Sequence, residues 1–418
     1  MNVLVVVARG LRPDYLGCYG NDWVATPGLD RLAAEGVVFD WHFADCPDAA
    51  GARRAFRTGR HAFPPENAAV EPITDLLATL RQHKIGTTLV VDASRSPLPE
   101  FAAGWKQVKE VSAKGDATSL ERTMEATVKA LERAARREHS LLWVELATLL
   151  PPWDLPDDFR DRYFEEEETD DEAEDEDEED LTESLTPLSD PTSGLVDSND
   201  DLTLARLQRS YAGAVAYLDA GLEMLFEELR KRGTLDELTI IVMADHGLPL
   251  GEHGIVGVVR PWLHEELIHV PLFVRLPGGT EAGRRVSALT QSVDLLPTLL
   301  DAFGLPLSPT HGHSLLPLAR GASEQVRPYA CAGLQVGDAV EWCLRTPDWG
   351  LLLPVQATAG DPPRPTQLYV KPDDRHEVND LRSRHLELSE QLEQTLHGFV
   401  AASQQPGPLE APSLPEDL

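Results

Sequence analysis

The first residues of the chain, Asn2 to Ala8, form an unbroken apolar run rich in valine, the pattern of a strand buried on both faces of a parallel sheet. Thr26 and Pro27 then read as an N-cap and first-turn pair for a helix. Leu29, Leu32 and Ala33 keep helical spacing behind them, and Gly36 is placed for a left-handed C-terminal cap. The alternation recurs. Leu76 to His83 reads as a helix before a strand over Thr87 to Val91, and Leu120 to Arg137 as an amphipathic helix before a strand over Leu141 to Ala147. Leu202 to Arg232 carries apolar residues at Leu207, Tyr211, Val215, Leu218, Leu222 and Leu225, ends on Lys231 and Arg232, and stops at Gly233, which predicts one long helix. Strands over Leu238 to Ala244 and Val270 to Arg275 follow, then a helix capped by Asp294 that runs to Gly304. Such alternation predicts an α/β fold over residues 1–325, a mostly parallel sheet flanked by helices. Short runs at Trp342 to Arg345 and Gln367 to Val370, with a helix near Leu386 to Phe399, predict a small C-terminal α+β subdomain over 326–402.

With 418 residues, 42% of them hydrophobic, the chain is long enough to bury a substantial core. Its charge narrows the list of partners. A net charge of −33 argues against nucleic acid or an anionic membrane surface, because both are bound by positive faces. No apolar run approaches the roughly 20 residues that cross a bilayer. Fourteen of the sixteen residues from Glu165 to Asp180 are acidic, so residues 165–201 are expected to form a disordered insertion. The proline-rich segment 403–418 is expected to be a disordered tail. The N-terminus shows no basic region followed by a cleavage site, so the expected compartment is the cytoplasm. Cys18, Cys46, Cys331 and Cys343 have no metal-ligand spacing and are expected to be reduced, which argues against a cysteine-held structural zinc.

Ligands of open α/β sheets sit past the carboxyl ends of the strands, so the chemistry is sought there. The string Ala8 to Gly20 follows the first strand. Asp245-His246-Gly247 and Gly251-Glu252-His253-Gly254 follow a late one. Together with Leu29 to Gly36, Thr58-Gly59-Arg60, Val270-Pro271-Leu272, Val293 to Thr298 and Ser314 to Pro317, these strings closely resemble the sulfatase family of the alkaline-phosphatase-like superfamily. The resemblance implies that family's fold. It also implies a divalent cation held by oxygen ligands and a formylglycine nucleophile made from the Cys or Ser of a Cys/Ser-x-Pro-x-Arg motif.

This chain departs from that pattern at most of the positions that carry chemistry. The two metal-binding aspartates of the family fall on Arg9 and Gly10, the nucleophile on Ala49, and the motif proline on Gly51. Only the motif arginine, Arg53, is kept. Cys46 stands three residues early and lacks the rest of the motif, and Thr148-Leu149-Leu150 stand where the family has Asp-Pro-His. Asp245 and His246 remain at family metal positions, and Arg9 is placed to form a charge-assisted pair with Asp245. The expectation is a degenerate, catalytically inactive sulfatase-like protein with a binding or scaffolding role and no cofactor. Arg9, Arg53 and His264 would then face an anionic small molecule in the old cleft, and the acidic insertion would face a basic protein. The alternative is an active sulfuric-ester or phosphate-ester hydrolase holding one Ca or Mg ion. Its site would be rebuilt from Asp245, His246, His253 and His264, with His42 or Glu145 as further members.

Overall fold

The computed structural model describes residues 1–415 except 65–73, 94–98, 116, 136, 165–184, 308 and 359–363. Eight strands form the main sheet: β1 (Asn2–Ala8), β2 (Val37–Phe43), β3 (Gly86–Asp92), β4 (Gln107–Val111), β5 (Ser140–Leu146), β7 (Leu238–Met243), β9 (Leu272–Arg275) and β10 (Arg284–Gln291). Their order is β10-β2-β9-β7-β1-β5-β3-β4. β1 lies at the centre, parallel to both β5 and β7. Its alternate residues feed two cores. Leu4, Val6 and Ala8 pack under the long helix Asp201–Lys231, while Val3, Val5 and Val7 pack under the opposite helical layer. That is why the run is apolar at every position.

The expected fold class is the one observed, with one strand reversed. β9 runs antiparallel to both β2 and β7. Between β7 and β9 the regular elements are only the two-residue strand Ile255–Val256, outside the main sheet, and the four-residue helix Glu265–Ile268, so no helix crosses over and the chain re-enters the sheet from the end at which it left. The C-terminal subdomain is a four-stranded antiparallel sheet, β11 (Ala330–Val336), β12 (Ala339–Arg345), β13 (Trp349–Gln356) and β14 (Gln367–Val370), covered by the helix Leu386–Ser403. Among the described residues no helix is long and apolar enough to cross a membrane.

Three expected caps are built differently. α1 (Pro27–Glu35) follows Thr26, but the Thr26 hydroxyl accepts from the Gly17 amide instead of capping the helix. The free amides of Gly28 and Leu29 are taken by the Asp219 carboxylate, from the middle of the long helix, at 2.9 and 2.7 Å. Gly36 is extended at φ −136°, and a Cβ there would come within 3.1 Å of the carbonyl oxygens of Leu32 and Val274. Close packing, and not a left-handed turn, selects glycine. Asp294 does not cap the helix Leu295–Ala302 with its side chain. It accepts from the amides of Gln291 and His313 and pairs with Arg327, tying the main sheet to the C-terminal subdomain.

The insertion and the tail also differ from expectation where they are described. Residues 165–184 lie outside the described residues. The remainder of the insertion is tied down: the Trp153 amide donates to the Ser189 carbonyl, Leu188 donates to Ser210, and β6 (Gly194–Leu195) pairs with β8 (Ile255–Val256). In the tail, the Arg60 guanidinium binds the carbonyls of Ser403, Gln405 and Gly407, and Tyr329 binds the Pro412 carbonyl. Leu409 and Leu414 pack on the subdomain core. A segment without helical period is held here by backbone acceptors and scattered apolar anchors.

Burial pushes the Asp219 carboxyl up to about 6, against the lowering effect of the two amides it accepts from. For an acid with a raised native pKa, the linked stability is present below the unfolded value near 4 and is lost as pH rises through about 6. Asp219→Asn keeps an acceptor oxygen and removes the titration, so the stability of wild type relative to this variant should fall between pH 4 and 6. Asp219→Ala should cost about 1–2 kcal/mol through loss of the cap, both read by urea unfolding.

Candidate functional site

α2 (Ala49–Thr58) begins at Asp48, whose carboxylate accepts from the amides of Ala50 and Gly51. Ala49 therefore occupies the first helical position, and Arg53 lies one turn further along. From there the Arg53 guanidinium reaches the carboxyl ends of the strands. Its Nη1 donates to Asp245 Oδ2 just past β7, and its Nη2 donates to Glu145 Oε2 on β5. All three groups are buried, with Arg53 5% exposed, Glu145 6% and Asp245 0%. Trp143 donates its indole N–H to the other Glu145 oxygen at 2.8 Å. Arg9, at the end of β1, stands with Nε 3.5 Å from Asp245 Oδ2. Two guanidinium groups thus face two carboxylates, and the cluster is neutral.

The expected Arg9–Asp245 pair is present as an ion pair, while the direct hydrogen bond to Asp245 comes from Arg53. This also corrects the expectation that Arg53 presents charge to a ligand, because its fork is spent on Glu145 and Asp245. Burial acts to raise the Asp245 carboxyl, but the neighbouring His246, Arg53 and Arg9 outweigh it and hold the group well below the usual carboxylate range. Burial likewise acts against the Arg53 cation, and Glu145 and Asp245 more than restore it. His246 turns its Nδ1 to the Gly247 carbonyl at 2.6 Å, and its amide donates to Asp245 Oδ1.

A divalent cation at the family position does not fit these residues. The oxygen it would need, Asp245 Oδ2, already faces two guanidinium groups, and a hard cation normally takes six or more oxygen ligands. Gly10, where a second aspartate would stand, sits at φ +83° with its carbonyl accepting from the Tyr211 hydroxyl. A Cβ there would meet Leu150 at 3.1 Å, so an apolar pair, Leu149 and Leu150, covers the position. Cys46 is no displaced nucleophile. Burial and the adjacent Asp48, to which its thiol donates, push its pKa far above the ordinary value.

The remaining candidates fall into other places. His42 is buried against Thr290 and held neutral, its pKa lowered to about 3 by burial. Glu252 pairs with Arg12 at 2.5 Å. His253 and His264 stack face to face, ring centres 3.7 Å apart, and together with Glu266 they can bring three ligand atoms within 4.8 Å of one another. That trio could hold a divalent ion. Glu266 was not singled out from the sequence, where it is one acid in an acidic chain. Glu145 had a clearer signal, as a single carboxylate in the strand Ser140–Leu146 that is otherwise buried and mostly apolar. A cavity of about 680 Å³ opens over α2, lined by Ala50, Gly51, Arg53, Arg54, Phe63 and Trp342 among others.

Comparison with known proteins is consistent across sequence and structure. Residues 1–305 match the family model described as Sulfatase. An N-acetylglucosamine-6-O-sulfatase of Bacteroides thetaiotaomicron is 36% identical over 111 residues, which cover 26% of this chain and 20% of that protein. The alignments to the first curated relatives span no more than a fifth of those proteins' length. Iduronate 2-sulfatase of Mus musculus is 23% identical over 74% of this chain and 70% of its own. In structure, a phosphonate monoester hydrolase of Agrobacterium radiobacter superposes with a TM-score of 0.76 at 20% identity, over 97% of this chain and 96% of that one. At that identity the likeness shows the fold.

Removing one partner of a buried charge cluster leaves the others uncompensated. Arg53→Met should therefore cost about 3–5 kcal/mol at pH 7 in denaturant unfolding. The deficit should shrink as pH falls from 7 towards 4, since protonation neutralises a buried carboxylate left without its partner. A deficit independent of pH would show that the cluster does not carry the cost.

Proposed function

Because the chain belongs to the sulfatase family, we propose that it is a degenerate member, a cytoplasmic pseudo-sulfatase that binds or scaffolds and does not cleave esters. The observation that carries this reading is the placement of Arg53 between Asp245 and Glu145, one helical turn from the alanine that stands at the nucleophile position. Sulfuryl transfer of the family's kind needs a nucleophile and a dication that neutralises developing charge. Here the nucleophile is a methyl group. The positive charge is built in, and carboxylates already satisfy it. The cavity over α2, lined by charged as well as apolar side chains, is where a small ligand would be held, and the fourteen carboxylates between Glu165 and Asp180 would attract a basic protein.

A second reading, an active sulfate-ester or phosphate-ester hydrolase with a rebuilt metal site, is favoured by a separate observation. His253, His264 and Glu266 bring together two imidazoles and a carboxylate. That donor set resembles those of hydrolytic metal sites, although it lies apart from the helix on which the family carries its nucleophile.

The test is an assay of the full chain against aryl sulfate, phosphate monoester and phosphonate monoester substrates, with Ca, Mg, Mn or Zn added in turn. No turnover above buffer is expected with any ion. Hydrolysis that is metal-dependent and abolished by His264→Gln would establish the second reading. Hydrolysis abolished by Asp245→Asn would mean that the strand-end position itself is active.

A further inference from the structure

Past the end of β7, the loop that carries Gly251 to Gly254 and the short helix Glu265–Ile268 meet residues 371–377 of the C-terminal subdomain. Here we propose a site for a borderline divalent cation of the zinc type, held by His253, His264 and Glu266 and separate from the strand-end position of the family. Two imidazoles and one carboxylate are the donors such ions prefer, whereas calcium and magnesium take oxygen alone.

Four observations converge on it. The three residues can place their ligand atoms within 4.8 Å of one another. His264 is 1% exposed, and its Nδ1 lies 2.6 Å from Glu377 Oε2. A carboxylate partner fixes the proton on Nδ1 and leaves a lone pair on Nε2, which is buried and has no hydrogen-bond partner. Metal-ligating histidines are commonly oriented by such a carboxylate, and an unused buried acceptor otherwise carries a desolvation penalty.

The charges around the trio leave one position open. Glu265 is paired with Arg345 at 3.1 Å, and Lys371, itself fully buried, bridges Glu265 and Glu377 at 3.0 and 2.9 Å. Among the described residues Glu266 pairs with no arginine or lysine, and its partner is His253 Nδ1 at 2.7 Å. A cation between Nδ1 and Oε1 would neutralise that carboxylate. His253 and Glu266 also line a cavity of about 360 Å³ with Arg12, Asp14 and His376, which gives an entry path and room for a water as the fourth ligand.

The site rests on neither reading of the strand-end cleft, and its test needs no turnover. Chelator-stripped full-length protein is titrated with zinc, calcium and magnesium chlorides by calorimetry, and its zinc content after dialysis is measured by mass spectrometry. One equivalent of zinc is expected, no calcium or magnesium at comparable concentration, and a rise in Tm with zinc. His253→Ala, a partly exposed position, and Glu266→Gln should each weaken zinc binding by about 100-fold or more and abolish the Tm rise. Asp245→Asn should leave both unchanged. Absence of zinc binding at micromolar concentration, binding indifferent to His253→Ala, or binding lost in Asp245→Asn would overturn the proposal.

Discussion

A guanidinium group buried between two carboxylates is the constraint around which the strand ends of this protein are organised. Arg53 cannot leave the interior without exposing Glu145 and Asp245, and neither acid can be buried without it. The three residues come from α2, from β5 and from the turn after β7, so one ionic cluster registers a helix against two strands that both neighbour β1. Arg9 from β1 completes the balance. In the resembled family this place belongs to a dication. On the proposed reading, side chains of fixed charge stand where that dication would lie. A metal can exchange ligands and water, whereas a hydrogen-bonded arginine fork keeps its geometry.

The parts of the fold that the sequence made legible are those determined by periodicity. The central strand, the long helix ending at Gly233 and the final helix follow from spacing that each segment carries within itself. What the sequence hid depends on partners distant in the chain. Nothing near Thr26 reveals that residue 219 will cap α1, and nothing in Leu272–Arg275 reveals that the strand runs backwards. At the site, Arg9, Ala49, Arg53 and Asp245 were legible because family strings place them. The role of Glu145 as second partner of Arg53 required the parallel pairing of β1 with β5. Spacing could not reveal Glu377, which meets His264 only when the C-terminal subdomain docks, and the Glu266–His253 contact forms only once the loop after β7 folds back onto the helix Glu265–Ile268.

That docking is itself polar. Lys371 sits fully buried among Glu265 and Glu377, Asp294 holds Arg327, and Glu341 accepts from the Leu263 amide and pairs with Arg364. The apolar share of the junction comes from Phe43, Leu289, Leu263 and Leu267 packing on Ala332, Leu334 and Leu352. Apolar burial supplies adhesion there. The charged pairs determine which residues face each other, since a slip of register would leave a buried carboxylate alone.

The backbone bond from Trp153 to Ser189 has a consequence for how this chain can vary. It draws together the two ends of the excursion that contains the acidic run, and in the returning segment Thr186 accepts from Arg206 and Leu188 donates to Ser210, both on the long helix. The body of the protein therefore meets the excursion at a closed neck. For a flexible loop, doubling the number of residues beyond such a neck costs only about 0.6 kcal/mol of closure entropy. The Trp153–Ser189 bond thus closes the body of the protein on itself at this point, so that a change in the number of residues between its two ends carries little entropic cost for the sheet and helices it leaves from.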